Sequence, residues 1–572
     1  MTRPIRLALL GFLLVLAVLA AVTPQLLPPL ATATPAPHWR PDGMTVRGAY
    51  HVHSTTSDGT GSIDDIAAAA ARAGLQFVII TDHGDGTRVP EPPRYRAGVL
   101  CIEAVEVNTT GGHLVALGAR PSPYPLAGTP QAVLEDVHRL GGIGIAAHPE
   151  SPRGSLRWSA WEVPVDGVEW LNADSEWRDE LLESLGRLLL TYALRPEGTL
   201  TAALDRPDAA IARWDQATAR ARVVGLAGAD AHARLGFRQQ TDPFEEGWHL
   251  KVPAYEASFK AFSLRVLLDA PLSGDAARDA VDILTRVRWG RAYTVIDGLA
   301  TPGDFEFTAT SGGRSARIGD GLDIAGEVTL HARMAAPPGS RLAILRNGVI
   351  LFDTTDPESH VGVTAEPAVY RVEIYAPDTG GQAPIPWLVS NPIYVGMREA
   401  HERARAEPAP TPSAERASIA TEAWVAEASP ASVSRLLARG SAQGVSTIEW
   451  ESQLAGGASD GQYAAVRFPL SGLGGRDRLQ VRARADSPMR LWIQVRASTT
   501  DQGERWGQSI HLDETFRTIE VAFDAFHPLG ATSSATPLFD AVDALLLVVD
   551  TVNSRPGDVS RVHIAELWLV QP

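Results

Sequence analysis

Two histidines one residue apart, His51-Val-His53, sit in the stretch HVHSTTSDG. At strand period both imidazoles project to the same side, and Asp58 follows in a Ser/Thr-rich loop. Two imidazoles and a nearby carboxylate can begin a metal site of nitrogen and oxygen donors. Further donors recur downstream at His83, Glu106, His113, His148, Asp230 and His232. Together the nine side chains suffice for two to three divalent metal ions, each with three or four protein ligands and a position left for water. Without thiolates the set suits Zn, Mn or Fe. The single cysteine, Cys101, lies in the apolar run VLCIE, so it reads as buried and inert and leaves no intrachain disulfide or Cys-based zinc site. His138, within VLEDVHRL, reads as a surface or packing residue, and His249, with no paired ligand, as structural.

The donors follow elements that would bring them together. Ser62 caps an Ala-rich helix that ends at Gly74. The apolar strand Phe77–Ile80 runs into Thr81-Asp82-His83, and a strand region from Val99 to Val107 leads to Gly111-Gly112-His113. A helix over about Gln131–Leu140 precedes Ile143–Ala147 and then His148. Gly167–Leu171 is a strand, a long helical region covers about 176–220, and Val223–Ala227 runs into Asp230 and His232. Buried strands alternating with helices imply an α/β fold on a parallel sheet, open or closed into a barrel. In such folds the carboxyl ends of the strands share one face, where the chemistry sits.

In order, HVHSTTSDG, TDHG, EVNTTGGHLVALG, AAHPE and GADAH resemble the motifs of the PHP (polymerase and histidinol phosphatase) superfamily over about 45–235. The chain is similar to bacterial PHP proteins with appended β domains, including those related to the carbamate hydrolase CehA. The resemblance implies a distorted (β/α)7 barrel with a trinuclear centre. It assigns His51, His53, Glu106 and Asp230 to one metal, Asp58, His83 and His232 to a second, and a bridging Glu106 with His113 and His148 to a third. Glu103 rivals Glu106, but the family's spacing to Gly-Gly-His favours Glu106. None of the nine positions departs from the motifs.

The flanking sequence extends this reading. Residues 1–22 carry Arg3 and Arg6 before an apolar run, which reads as a secretory signal or an N-terminal membrane anchor, and a Pro-rich linker follows. The expected domains are 1–36 for signal or anchor with linker, 40–300 for the PHP metallohydrolase, and 301–397 for a small β-sandwich. The linker 398–420 then leads to a C-terminal β-sandwich or jelly-roll over 421–572. In the small sandwich Asn347-Gly348 predicts a type I′ hairpin turn. The C-terminal strand rhythm resembles galactose-binding-like or carbohydrate-binding modules. Trp450, Trp492 and Trp506 would stack on a sugar or serve the core.

A formal net charge of −16 over 572 residues disfavours a nucleic-acid partner, whose binding needs cationic contacts. It permits a phosphorylated substrate, because bound cations reverse the local field. The expected function is an exported, extracytoplasmic phosphoesterase acting on a small-molecule or phosphorylated substrate, with membrane contact only through the N-terminal segment. A hydroxide held between metals attacks phosphorus, Asp230 takes up a proton, and Arg234 or Arg153 steadies the phosphate. Solvated loop arginines are the plain alternative for those two. Asp82 and Asp85 either orient histidines or form turns. The same metals would also serve attack on an amide, ester or carbamate carbonyl. A surface binding protein using its C-terminal sandwich, with a glycan as ligand, is the alternative from another class.

Overall fold

The computed structural model describes residues 27–28, 30–37, 39, 44–178, 191–236, 249–377, 385–397, 416–419, 423–442, 445–458, 461–498 and 503–571. The proposed signal or anchor over 1–22 and most of the 398–420 linker lie outside them. The chain forms two compact units, one of residues 1–84, 90–120 and 141–406, the other of 85–89, 121–140 and 407–572.

In the first unit ten strands bear on the site. They are β1 (Met44–Tyr50), β2 (Phe77–Ile80), β3 (Val99–Glu103), β4 (Val105–Thr109), β5 (Gly112–Leu117), β6 (Ile143–Ala146), β7 (Gly167–Asn172), β8 (Val224–Gly228), β9 (Ser263–Leu268) and β10 (Ala292–Val295). One sheet runs β10-β9-β1-β2-β3 and the other β8-β7-β6-β5-β4. Isolated parallel bridges Val52–Ala231 and His83–Glu106 join the strand ends of the two sheets. Strands β2, β6 and β8 are buried at every residue, as strands covered on both faces must be.

The sheets are mixed rather than parallel throughout. Strands β1-β2-β3 and β6-β7-β8 are parallel, but β4-β5-β6 are antiparallel. The reason is local: the β4–β5 link is only Thr110-Gly111, too short for the crossover that parallel neighbours need. The strand expected over Val99–Val107 breaks at Ala104. Strand β9, which the sequence reading did not distinguish, pairs antiparallel with both β1 and β10.

Helix α1 (Ile63–Arg72) has the expected Ser62 cap, with Asp65 closing a reciprocal capping box. The helical region expected over about 176–220 is interrupted. Its described part comprises helical residues 173–178 and 191–194, then α3 (Pro196–Ala202) and α4 (Asp208–Thr218). Arg195, before Pro196, adopts φ −145° and ψ 75°, because the proline ring crowds a helical predecessor. Tyr255–Ala261 and Ala276–Arg288 are further helices, and the second is capped by Asp275.

Beyond residue 300 the described elements of the first unit are all β-strands. Phe305–Ser311, Arg314–Arg317, Val328–Met334 and Glu358–Val363 make a four-stranded antiparallel sheet. Asn347 and Gly348 have φ 52° and 83° and join the paired strands Arg341–Arg346 and Val349–Thr354, as a type I′ turn requires. Leu388–Ser390 pairs with β10, so one sheet continues across the expected boundary at residue 300.

In the second unit the C-terminal strands form two antiparallel sheets sharing one core, with Trp450, Val481 and Ile564 from one sheet and Val466, Ile493 and Leu545 from the other. Among these strands Val433–Ala442 and Glu504–Leu512 lack a clean polar–apolar alternation. The same unit contains the helix Pro130–Arg139, here α2, whose N-cap is Thr129. Arg490, fully buried, donates to the Ala132 carbonyl (3.0 Å), the Glu135 carboxylate (2.8 Å) and Ser509 Oγ (3.1 Å). Trp450 and Trp506 are completely buried, and Trp492 packs with Ala465, Leu546 and Val548. None of the three offers an open ring for a sugar.

Candidate metal centre

All nine expected donors converge at the strand ends of the first unit. His51 and His53 follow β1, His83 follows β2, Glu106 lies in β4 and His113 in β5. His148 follows β6, and Asp230 and His232 follow β8. Glu106 sits at the middle, with no solvent exposure. Its Oε1 lies 2.8 Å from both His113 Nδ1 and His148 Nε2. Its Oε2 lies 3.1, 3.2 and 3.3 Å from His51 Nε2, His53 Nε2 and His83 Nδ1. Asp230 Oδ1 is 3.3 Å from His51 Nε2 and 3.2 Å from His53 Nε2. Asp58 is 3.3 Å from His232 Nε2, 3.5 Å from His53 Nδ1 and 3.9 Å from His83 Nε2.

Donor atoms close enough to share an ion fall into four groups here: His51–His53–Asp230, His53–Asp58–His83–His232, His51–Glu106–His148 and His83–Glu106–His113. Within each, the atoms lie within 4.8 Å of one another. His53 Nε2 and His83 Nδ1 are buried without a hydrogen-bond partner, although buried polar nitrogens are normally satisfied. Both face carboxylate oxygens across gaps a divalent cation would fill. The residues therefore fit a multi-ion centre.

Backbone conformation supports the same reading. His51, His148 and Asp230 have φ of 64°, 29° and 44°. Non-glycine residues in this region carry strain that persists where the surroundings over-determine it, typically at functional sites. Three of the nine candidate donors share this feature.

Charge is arranged for cations. Burial alone would raise the Glu106 carboxyl, but His51, His83 and His113 hold it well below the usual carboxylate range. Asp230 is likewise held low against its burial, chiefly by the charge of His51 and by the closeness of His53. Burial opposes charge on His53, yet Asp230, Glu106 and Asp58 raise its imidazole to about 10. For His83 burial prevails and lowers the ring to about 4. A dense set of ionised carboxylates with imidazoles has its charge balanced by bound cations instead of by protons.

Sequence motifs do not flag Glu169, in β7. It is fully buried. Its Oε1 lies 2.5 Å from His51 Nδ1, and its Oε2 accepts from the His148 backbone N–H (2.8 Å) and Asn172 Nδ2 (2.9 Å). A carboxylate on the far nitrogen of a ligand histidine fixes its tautomer and orientation. Gly228 makes room: a Cβ there would stand 2.5 Å from Glu169 Oε1. Glu169→Gln is expected to weaken metal affinity by about 10- to 100-fold while the fold persists. Competition with a graded chelator measures the first, and circular dichroism the second.

Tyr255 also carries no motif. Its hydroxyl donates to the His53 carbonyl (2.8 Å) and accepts from the Thr60 and Gly61 N–H groups (3.2 Å each), which ties the His53–Gly61 turn in place. Asp82 accepts from Ser54 N (2.7 Å), Ser54 Oγ and Ser57 Oγ (2.6 Å each), so it shapes the same turn and does not bond a histidine. Asp85 accepts from Thr87 N and Oγ1, a turn role. Glu103 accepts from the Glu91 N–H and takes no part in the donor groups. His138 is exposed. Cys101 is buried, and burial pushes its thiol up to about 11.

Arg234 Nη1 donates to the Asp58 carbonyl (3.3 Å), beside a cleft lined by Asp230, His232, Asp174, Trp177 and Leu200. Arg153 is exposed. Arg178 pairs with Asp174, and the charges of Asp174, Asp230 and Asp58 raise its guanidinium. It is a cation near the centre that no motif marks.

The fold and site define a domain built to hold divalent metal at strand ends. The PHP domain family model matches residues 49–106, a match that supports a PHP-type domain in this chain. An uncharacterized protein of Methanocaldococcus jannaschii is 30% identical over 112 residues, which are 19% of this chain and 65% of that protein. The chain thus spans just under two thirds of the length of this curated relative. Among solved structures it is similar to a two-domain protein containing a predicted PHP-like metal-dependent phosphoesterase from Bacteroides vulgatus. That match has 15% identity, 62% of this chain, 98% of that chain and a TM-score of 0.27. It is also similar to a family 11 carbohydrate-binding module of a cellulosomal cellulase of Clostridium thermocellum, with 14% identity, 28% of this chain, 96% of that chain and a TM-score of 0.24.

Proposed function

We propose that this protein is an exported metal-dependent phosphoesterase, with a trinuclear centre in a distorted (β/α)7 barrel whose two sheets close at the Val52–Ala231 and His83–Glu106 bridges. The observation that carries the reading is Glu106, buried and within 3.3 Å of five imidazoles through its two oxygens. A carboxylate so placed is suited to bridging metals. In the proposed division His51, His53, Glu106 and Asp230 hold one ion, Asp58, His83 and His232 a second, and Glu106, His113 and His148 a third. Zn, Mn or Fe suits these donors. Divalent ions there would supply Lewis acidity, acidifying water and offsetting charge on the substrate's oxygens.

The chain's own residues do the rest. Glu169 holds the His51 ring and the His148 backbone in place. Asp230, ionised by its histidine neighbours, accepts a proton from the attacking water. Arg234 and Arg178 place positive charge beside the cleft for phosphate oxygens. The N-terminal segment serves as signal or anchor, which makes the substrate an extracytoplasmic small molecule or phosphorylated compound.

The test uses full-length protein reconstituted separately with Zn, Mn and Fe(II), assayed on a phosphomonoester, a phosphodiester and a carbamate. Hydrolysis of a phosphoester that disappears on chelation, returns with metal and is lost in Asp230→Ala supports the proposal. Hydrolysis of the carbamate alone overturns the phosphoester reading in favour of carbonyl chemistry at the same centre. Metal-replete protein inactive on all three sinks both.

A further inference from the structure

Away from the PHP centre, the four-stranded sheet of the first unit carries a second set of metal-binding side chains. Strands Val328–Met334 and Glu358–Val363 are antiparallel, with His331 directly opposite His360 and Arg333 opposite Glu358. Alternate side chains of a strand share a face, so His331, Glu358 and His360 lie on one face. The two imidazoles stack with centroids 4.0 Å apart and planes 4° from parallel. Glu358 Oε1 lies 2.8 Å from His331 Nε2 and 3.7 Å from His360 Nε2. One donor atom from each residue falls within 4.8 Å of the others.

We infer that His331, Glu358 and His360 form a further cation site, for a borderline transition-metal ion such as Zn²⁺ or Cu²⁺. Two imidazole nitrogens and one carboxylate oxygen are the donors such ions favour, and three protein ligands leave positions open to solvent. A cross-strand histidine pair is held by the ladder itself, so little further order is lost on binding. The neighbouring Arg333 hydrogen-bonds Glu306 through Nη2 at 2.9 Å, while its charge still reaches Glu358. Among the described residues Glu358–Val363 pairs on one side only. An ion here would clip an edge strand to its neighbour, at a place where unpaired backbone otherwise invites association.

The experiment uses the full-length protein with its PHP centre loaded. Zinc per chain is counted after equilibrium dialysis for the wild type, for H331Q/H360Q, and for His563→Gln as a surface-histidine control. Cu²⁺ electron paramagnetic resonance reads the donors. The expected result is one ion fewer in H331Q/H360Q, loss of the two-nitrogen copper signal, unchanged phosphoester hydrolysis and an unchanged count in His563→Gln. If the double variant fails to fold, the single exposed change His360→Gln should remove the same ion. Equal counts and equal copper spectra in the wild type and the variants overturn the site, as does equal loss in His563→Gln.

Discussion

Glu106→Gln is expected to cut phosphoester hydrolysis by about a thousandfold or more and to release more than one ion. The reasoning is geometric. Oε1 serves His113 and His148, and Oε2 serves His51, His53 and His83. An amide can offer only one weak acceptor oxygen and brings an NH₂ group toward imidazole nitrogens or bound cations. Lewis-acid stabilisation is worth several kcal/mol, and about 4 kcal/mol corresponds to roughly a thousandfold in rate. Asp58→Ala is the contrast: Asp58 lies at the edge, near His53, His83 and His232, and its loss should cost a single ion. Metal analysis beside steady-state kinetics for the two variants measures both effects.

Arg490→Met is expected to destabilise the second unit by about 3–5 kcal/mol, the usual cost of removing one partner from a buried ionic cluster. Arg490 is fully buried and donates to Ala132 O, Glu135 and Ser509. The completely buried Asp136 lies 3.6 Å from its guanidinium and, among the described residues, is left with Arg139 as its ion-pair partner when Arg490 is lost. Methionine fills much of the volume but satisfies none of these acceptors. Differential scanning calorimetry of the full chain should show one transition moving down. If that transition stays in place, the cluster is energetically neutral.

The candidate donors could be read from the sequence because they stand just after short apolar runs, and a strand end is the place where a topology gathers distant residues. His83 after FVII and His148 after IGIAA are the clearest cases. Glu169 lies inside its strand, in GVEWL, and matches no motif. The available signal was a carboxylate in a run otherwise destined for burial, since such a group must find a partner. Tyr255 and Arg178 gave less, because a hydroxyl or guanidinium in a helix is ordinary until its neighbours are known. The hairpin of β4 and β5 was written in Thr110-Gly111-Gly112, yet the expectation of alternating strands and helices hid it. Strand β9 was obscured by Arg265, a charge within SLRVLL that the fold neutralises with Asp297 at 2.6 Å. Trp450 and Trp506 had two readings as sequence, and burial settles both as core.

The most direct measurement is the number of ions each chain holds with and without Glu106, determined by inductively coupled plasma mass spectrometry. It is best made in the H331Q/H360Q background, so that only the PHP centre is counted. The expected result is two to three divalent ions per chain, falling by at least two in Glu106→Gln with the circular dichroism unchanged. An unchanged count in Glu106→Gln, or no bound ion in the parent, would contradict a centre built around one shared carboxylate.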